Sequence, residues 1–366
     1  MQGRLSDVPT NAAARHEGST RSGRPKLYSL QILRFVAAFA VVLFHLGAGY
    51  QADLVMERNI FGIGAWGVDI FFVISGFIIA FTTDPGRGLL YFAWRRVVRI
   101  VPLYWSLTLG LAAIGLIMPE LLDSTVIDAE SLLKSLFFIP YERGDGSVRP
   151  ILFLGWTLNY EMFFYALYGL GMALGFRTCL MPLALVVAVV AAGYLLPIES
   201  VVWNFYTNPI LLEFACGIVL CVVYRRYTDA FARASPFLVA LLILVLAVKL
   251  AFPGVQSLWA GAIPAVIVVA AALSIRVAKT PFSSFLILLG DASYSLYLSH
   301  PYVLQLWVKV SPENLSMPVQ VIMGFIVCLA AVVVSVALYR LLELPSQRIL
   351  LGRGRQRLAP TLIAGR

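Results

Sequence analysis

Runs of apolar residues long enough to cross a bilayer recur along this chain, and they constrain its fold more than any other feature. LQILRFVAAFAVVLFHLG at 30–47 is the first, and a second at 63–81 contains FFVISGFIIA. A helix rises about 1.5 Å per residue, so roughly 20 residues cover the 30 Å of a hydrocarbon core. Only helices and closed barrels satisfy every backbone polar group there, and unbroken apolar runs suit helices. Of the 366 residues 60% are hydrophobic and 13% charged, whereas soluble domains have about 45–50% and 25%. The expectation is an all-α polytopic integral membrane protein.

The spacing predicts about ten transmembrane helices: 30–47, 63–81, 98–118, 152–176, 180–197, 209–224, 236–252, 257–274, 285–308 and 317–339. Between the third and fourth lies a wetter stretch, 119–151, in which ESLLKSLFFIP is too short to cross and suits an interfacial or re-entrant helix. Residues 1–26 are polar and read as a disordered cytosolic tail, 27–345 as the membrane domain and 346–366 as a basic cytosolic tail. The first apolar run lacks a small-residue cleavage site and is expected to stay as a helix. Ten spans put both termini on one side. Of the 28 Lys and Arg, only Arg58, Lys134, Arg143, Arg149, Lys249 and Lys309 then fall on the other side, so both termini are expected to be cytoplasmic.

That distribution also accounts for the net charge of +9 without a nucleic-acid partner, which would need a basic face or groove. The cysteines Cys179, Cys216, Cys221 and Cys328 lie in or beside apolar runs without ligand spacing, so no metal site is expected.

Function has to be sought in the polar exceptions, because an ionisable group in a bilayer is costly unless it is paired or lines a polar cavity. His45 falls about 22 Å along the first run. Asp69 lies early in the second, Glu161 in the fourth beside Trp156, Asn159 and Tyr160, and His300 near the far end of the ninth. All four fall at similar depth, as a polar reaction chamber would require. At the opposite mouth Arg95, Arg96 and Arg99 open the third run. Arg96 and Arg99, three apart, share a helix face and can fork onto one phosphate, while Arg95 points toward lipid headgroups. Each residue also has a structural reading: a satisfied helix histidine, a buried pair, a helix cap, or arginines that obey the charge rule.

The blocks LQILRFVAAFAVVLFH, GVDIFFVISGFIIA, FAWRRVVRIVPLYW, GWTLNYEMFFYAL, LLEFACGIVL and LLGDASYSLYLSHPYV occur in that order. Together they resemble the membrane acyltransferase family called acyltransferase 3, especially its exopolysaccharide-production branch. The resemblance implies a bacterial inner-membrane enzyme that moves an acyl group, typically acetyl, from acyl-CoA to a glycan hydroxyl. Acyl-CoA would be a substrate, with no permanently bound cofactor. The acceptor would be an exopolysaccharide or lipid-linked oligosaccharide, with polysaccharide assembly proteins as further partners. The family's essential histidine matches His45, its arginine pair Arg96 and Arg99, its fourth-span acid Glu161, and its late block Ser293, Tyr294, Ser295 and His300. Members with a fused periplasmic esterase-like domain differ, since only a short basic tail follows Leu344 here.

A sugar hydroxyl attacks a thioester only when its proton is removed, and a neutral histidine can do this. His45 is the expected base, with Glu161 or Asp69 orienting its ring, His300 assisting, and Trp156, Asn159, Tyr160 and the Ser293–Ser295 block lining the substrate site. An acyl-histidine intermediate would use the same residues. A transporter of a glycan or lipid-linked sugar, or a structural subunit of an assembly complex, would also use aromatic and polar helix interiors. Either would leave acyl-CoA unconsumed.

Overall fold

The apolar runs are helical in the computed structural model of the protein, which describes residues 27–52, 61–118, 120, 127–174, 179–251, 259–312 and 315–352. The helices are α1 (Tyr28–Ala52), α2 (Trp66–Thr82), α3 (Leu89–Ile117), α4 (Ala129–Leu136), α5 (Gly155–Ala173), α6 (Leu180–Leu195), α7 (Val201–Tyr206), α8 (Leu212–Arg226), α9 (Thr228–Arg233), α10 (Ser235–Ala251), α11 (Trp259–Ser274), α12 (Pro281–Asp291), α13 (Ser293–Val310), α14 (Met317–Leu338) and α15 (Leu344–Leu351). A π-helical turn, Tyr339–Glu343, joins the last two. The tail readings for 1–26 and for 353–366 lie outside the described residues, as does Arg58.

The expectation of ten transmembrane helices is not met. Among the described residues five helical stretches are long and apolar enough to cross a membrane: Tyr28–Gly49, Gly62–Thr82, Leu89–Ile117, Val201–Arg226 and Met317–Leu351. Four more apolar helices, Leu180–Leu195, Ser235–Val248, Gly261–Ser274 and Pro281–Asp291, stop short. At 11 to 16 residues they span about 16 to 24 Å, less than a hydrocarbon core. The ninth predicted run breaks at Ala292 into α12 and α13. The placing of both termini on the cytoplasmic side rested on ten spans and on the Lys and Arg distribution drawn across them, and it falls with that count.

Helix α2 is the central post. Its residues Gly67, Ile70, Phe72, Val73, Ile74, Gly76 and Phe77 are buried, and it packs along α8 almost backbone to backbone. A Cβ at Gly76 would lie 2.1 Å from Phe214 O, and one at Gly217 2.2 Å from Val73 O. Small residues permit such an approach where apolar burial supplies no drive between helices. Phe214 stacks on Phe72 and Phe164 at 4.6 and 4.5 Å, which brings α5 onto the same seam. At the end of α2, Arg225 Nη2 donates to Ala80 O and Phe81 O at 3.1 and 2.8 Å, filling carbonyls that the helix leaves without partners.

The stretch after α3 forms a strap over one end of the bundle. Its helix α4 has eight residues and starts with a capping box in which Asp128 accepts from Ser131 N at 2.7 Å. That bond holds the Asp128 carboxyl below its usual range. Tyr104 OH donates to Ser135 O at 3.0 Å, Trp105 Nε1 to Leu136 O at 2.9 Å and Tyr206 OH to Phe138 O at 2.7 Å. Phe138 takes φ +60°, rare for a side chain of its size, inside this net of bonds. Ile151 N then donates to Ser135 Oγ at 2.9 Å, and the strap delivers Phe153 to the site below it.

Candidate functional site

Histidines from α1 and α13 meet under the strap. His300 is fully buried, and its Nδ1 lies 3.1 Å from Leu296 O. A carbonyl only accepts, so Nδ1 carries the hydrogen and Nε2 keeps a lone pair. That lone pair faces His45 Nδ1 at 3.1 Å. His45 Nδ1 is also 3.0 Å from Val41 O, so it too carries hydrogen and shares it between two acceptors. In the neutral ring His45 Nε2 is left with the lone pair. Aromatic edges frame the pair: Phe44 and Phe153 stand 5.1 and 5.5 Å from the His45 ring. Tyr297 lies 6.3 Å from His300, and its hydroxyl is 3.0 Å from Thr157 Oγ1. Arg149, on the strap, is close enough to act on His45 through its charge.

The other two expected acids have different partners. Asp69 hydrogen-bonds Glu213 of α8, and a Cβ at Gly261 of α11 would lie 2.6 Å from its carboxylate. Glu161 accepts from Ser75 Oγ at 3.0 Å and from Tyr165 OH.

Tyr165 leads on to the arginines. Arg96 hydrogen-bonds Tyr165 and sits 5.7 and 5.8 Å over the rings of Phe92 and Tyr165. Its Nε is buried without a hydrogen-bond partner, and no carboxylate pairs with it among the described residues. Arg99 lies 5.4 Å over Tyr294 and forms an ion pair with Glu343 of the π-helical turn. Ser295 Oγ donates to the second oxygen of Glu343 at 2.7 Å, and Tyr294 OH donates to Ile100 O at 2.8 Å. A third guanidinium, Arg34 of α1, donates to Gln31 Oε1 at 3.2 Å, and Gln31 donates to Asp291. The charges of Arg99, Asp291, Glu343 and Glu161 all act on Arg34, so these groups form one buried polar cluster.

The remaining expected residues lie along α5 and at the start of α13. Trp156 is edge-on to Phe72 and Tyr160 at 6.4 and 6.0 Å, and Tyr160 stacks on Phe205 at 4.1 Å. Asn159 and Ser293 are buried with side-chain oxygens that have no partner.

Residues 27–340 match the acyltransferase domain family, acyltransferase 3. The chain belongs to that family. It is a membrane acyltransferase of the acyltransferase 3 type, as the ordered sequence blocks led one to expect. Exopolysaccharide production protein ExoZ of Rhizobium meliloti (strain 1021) is 34% identical to it over 323 residues, 84% of this chain and 95% of that protein. No solved structure matches the chain.

The sequence reading did not assign Arg34, Glu343, Asp291, Glu213 or Phe153 to a site. Arg34 and Asp291 were visible as lone charges inside apolar blocks, and Glu343 as an acid just before Pro345. Nothing in the order of residues could show that Glu343 reaches Arg99, 244 positions away.

Proposed function

We propose that this acyltransferase moves an acyl group, typically acetyl, from acyl-CoA to a hydroxyl of an exopolysaccharide or of its lipid-linked precursor, at the bacterial inner membrane. The observation that carries the reading is the His45–His300 contact, because it leaves a lone pair on the more accessible of the two rings. His45 Nε2 takes the proton of the acceptor hydroxyl as its oxygen attacks the thioester carbon. The carbon–sulfur bond breaks, the thiolate takes the proton back from His45, and the products are the acyl ester and free coenzyme A. During attack the imidazolium is stabilised by Val41 O and by the lone pair of His300, which makes His300 the residue that orients the ring, in place of Glu161 or Asp69. His300 has both nitrogens engaged, which suits a fixed support better than a base.

Arg96 and Arg99 hold the phosphates of coenzyme A in this reading. Arg96 supports it most directly, being a buried guanidinium with an unfilled donor and no carboxylate beside it. The pantetheine arm then runs from the arginines toward His45, and the aromatic edges of Phe44, Phe153 and Tyr297 keep water from the thioester. The acceptor class follows the exopolysaccharide production of the Rhizobium relative, and proteins of polysaccharide assembly are the partners that this placement brings within reach.

The test is His45→Gln in the full-length protein, with free coenzyme A measured with and without acceptor and with mass spectrometry of the cell's exopolysaccharide. The variant should bind coenzyme A as the wild type does, yet lose acceptor-dependent release by about 10²- to 10⁴-fold. The acyl-sized mass increment should vanish from the glycan. Wild-type acylation in a folded variant would sink the assignment.

A further inference from the structure

Arg96 and Arg99 share a face of α3, yet they are not equally ready for an incoming anion. Arg96 has no carboxylate partner among the described residues. Arg99 is already paired. Its partner Glu343 has a side chain only 2% exposed, whereas that of Arg99 is 24% exposed. The arginine side chain thus keeps some access while its carboxylate partner is sealed. Glu343 is held in place by Ser295 Oγ at 2.7 Å and Gln347 Nε2 at 3.3 Å. The π-helical turn carries it, and such turns are frequent at functional sites.

We propose that Glu343 is the resident counter-anion of the donor site. It holds Arg99 while the site is empty, yields part of that bonding when the phosphates of acyl-CoA arrive, and reclaims it as coenzyme A departs. This rests on the assignment of Arg96 and Arg99 to the donor. The physical need is twofold. Two buried guanidiniums on one helix face with no anion at all would be costlier still, and one carboxylate relieves that in the empty site. Two uncommitted guanidiniums would also hold the product as firmly as the substrate and slow its exit. Exchanging a carboxylate for a phosphate on Arg99 keeps the charge count nearly even in both states, so donor entry and product release face a smaller difference in free energy. Ser295, on the same helix as His300 and five residues before it, ties the carboxylate to the element that supports the reacting histidine. Glu343 is thus a positioning residue that acts through Arg99.

The experiment measures coenzyme A binding to the full chain in lipid nanodiscs, with steady-state turnover alongside. Glu343→Gln keeps the shape and removes the charge. Its dissociation constant for coenzyme A should fall about tenfold, the size of one charge-assisted contact. Donor KM and kcat should fall together, leaving kcat/KM within about threefold, a split that lost packing would not produce. Unchanged or weaker binding in a variant that melts like the wild type overturns the proposal. In an Arg99→Gln background the same change should leave binding untouched, and a persistent tightening there would also overturn it. If Glu343→Gln does not fold, Glu343→Asp keeps the charge but draws it back from Arg99. It should tighten binding about threefold, and no tightening counts against the idea. Arg96→Ala separates the two claims. If it leaves coenzyme A binding unaltered, the donor assignment fails and this proposal with it. If it weakens binding while Glu343→Gln does not tighten it, only the role of Glu343 fails.

Discussion

The histidine end and the arginine end of the bundle are built from the same helices but settle their polar groups in opposite ways. Both draw on α1 and α13: Arg34 lies eleven residues before His45, about 16 Å along the helix, and Ser295 lies five residues before His300. At the histidine end the partners are backbone carbonyls, another imidazole and ring edges. At the arginine end they are carboxylates, phenols and an amide. The first arrangement fixes where protons sit without an ion pair, and the second sets an ion pair beside an unpaired guanidinium. In the proposed function one end moves a proton and the other holds a polyanion.

The sharpest way to break this contrast is His300→Leu. It removes the acceptor that orients His45, and kcat should fall about 10²-fold with donor KM unchanged. His300→Gln, whose amide oxygen can still accept from His45 Nδ1, should recover about tenfold of that loss. Equal losses in the two variants, both folded, would make His300 a packing residue. Next in size, Arg96→Ala should raise donor KM roughly 10- to 100-fold while kcat at saturating donor changes little, because hydrogen bonds to charged groups contribute about 1.5–3 kcal/mol. Arg96→Lys should restore only part, since the fork is lost. A fall in kcat with constant KM would move Arg96 to the reacting end.

The smallest effect is expected at Asp69. Asp69→Asn can still hydrogen-bond Glu213, so turnover should stay within about threefold and stability should change by about 1 kcal/mol. A loss as large as that of His45→Gln, in a protein melting near the wild-type temperature, would bring Asp69 back into the chemistry.

These residues also show what could be read from the order of amino acids. His45 and His300 were legible as two histidines at similar depth in apolar runs, but not as rings that touch. The orienting role offered to Glu161 or Asp69 was a guess about neighbours, and neighbours depend on helix packing. Asp69 meets Glu213 because glycines let α2 and α8 approach closely, a feature no local pattern announces. The helix count failed for another reason. Apolar length reports what tolerates lipid but not where a helix ends, and the break at Ala292 shortens a run that composition alone leaves whole.

The π-helical turn at Tyr339–Glu343 gives the chain one residue more than an α-helix would need to cover the same rise. Each residue of an α-helix advances the facing direction by about 100°, so the surplus residue changes which side of the bundle everything beyond it faces. Ahead of the turn α14 shows Phe325 and Val333 to the outside, whereas at the turn itself Glu343 points inward. Deleting any single residue between 339 and 343 would relax the helix into its commonest form and leave Arg99 facing a different side chain. The register of one helix therefore sets the electrical state of a site built mainly on another.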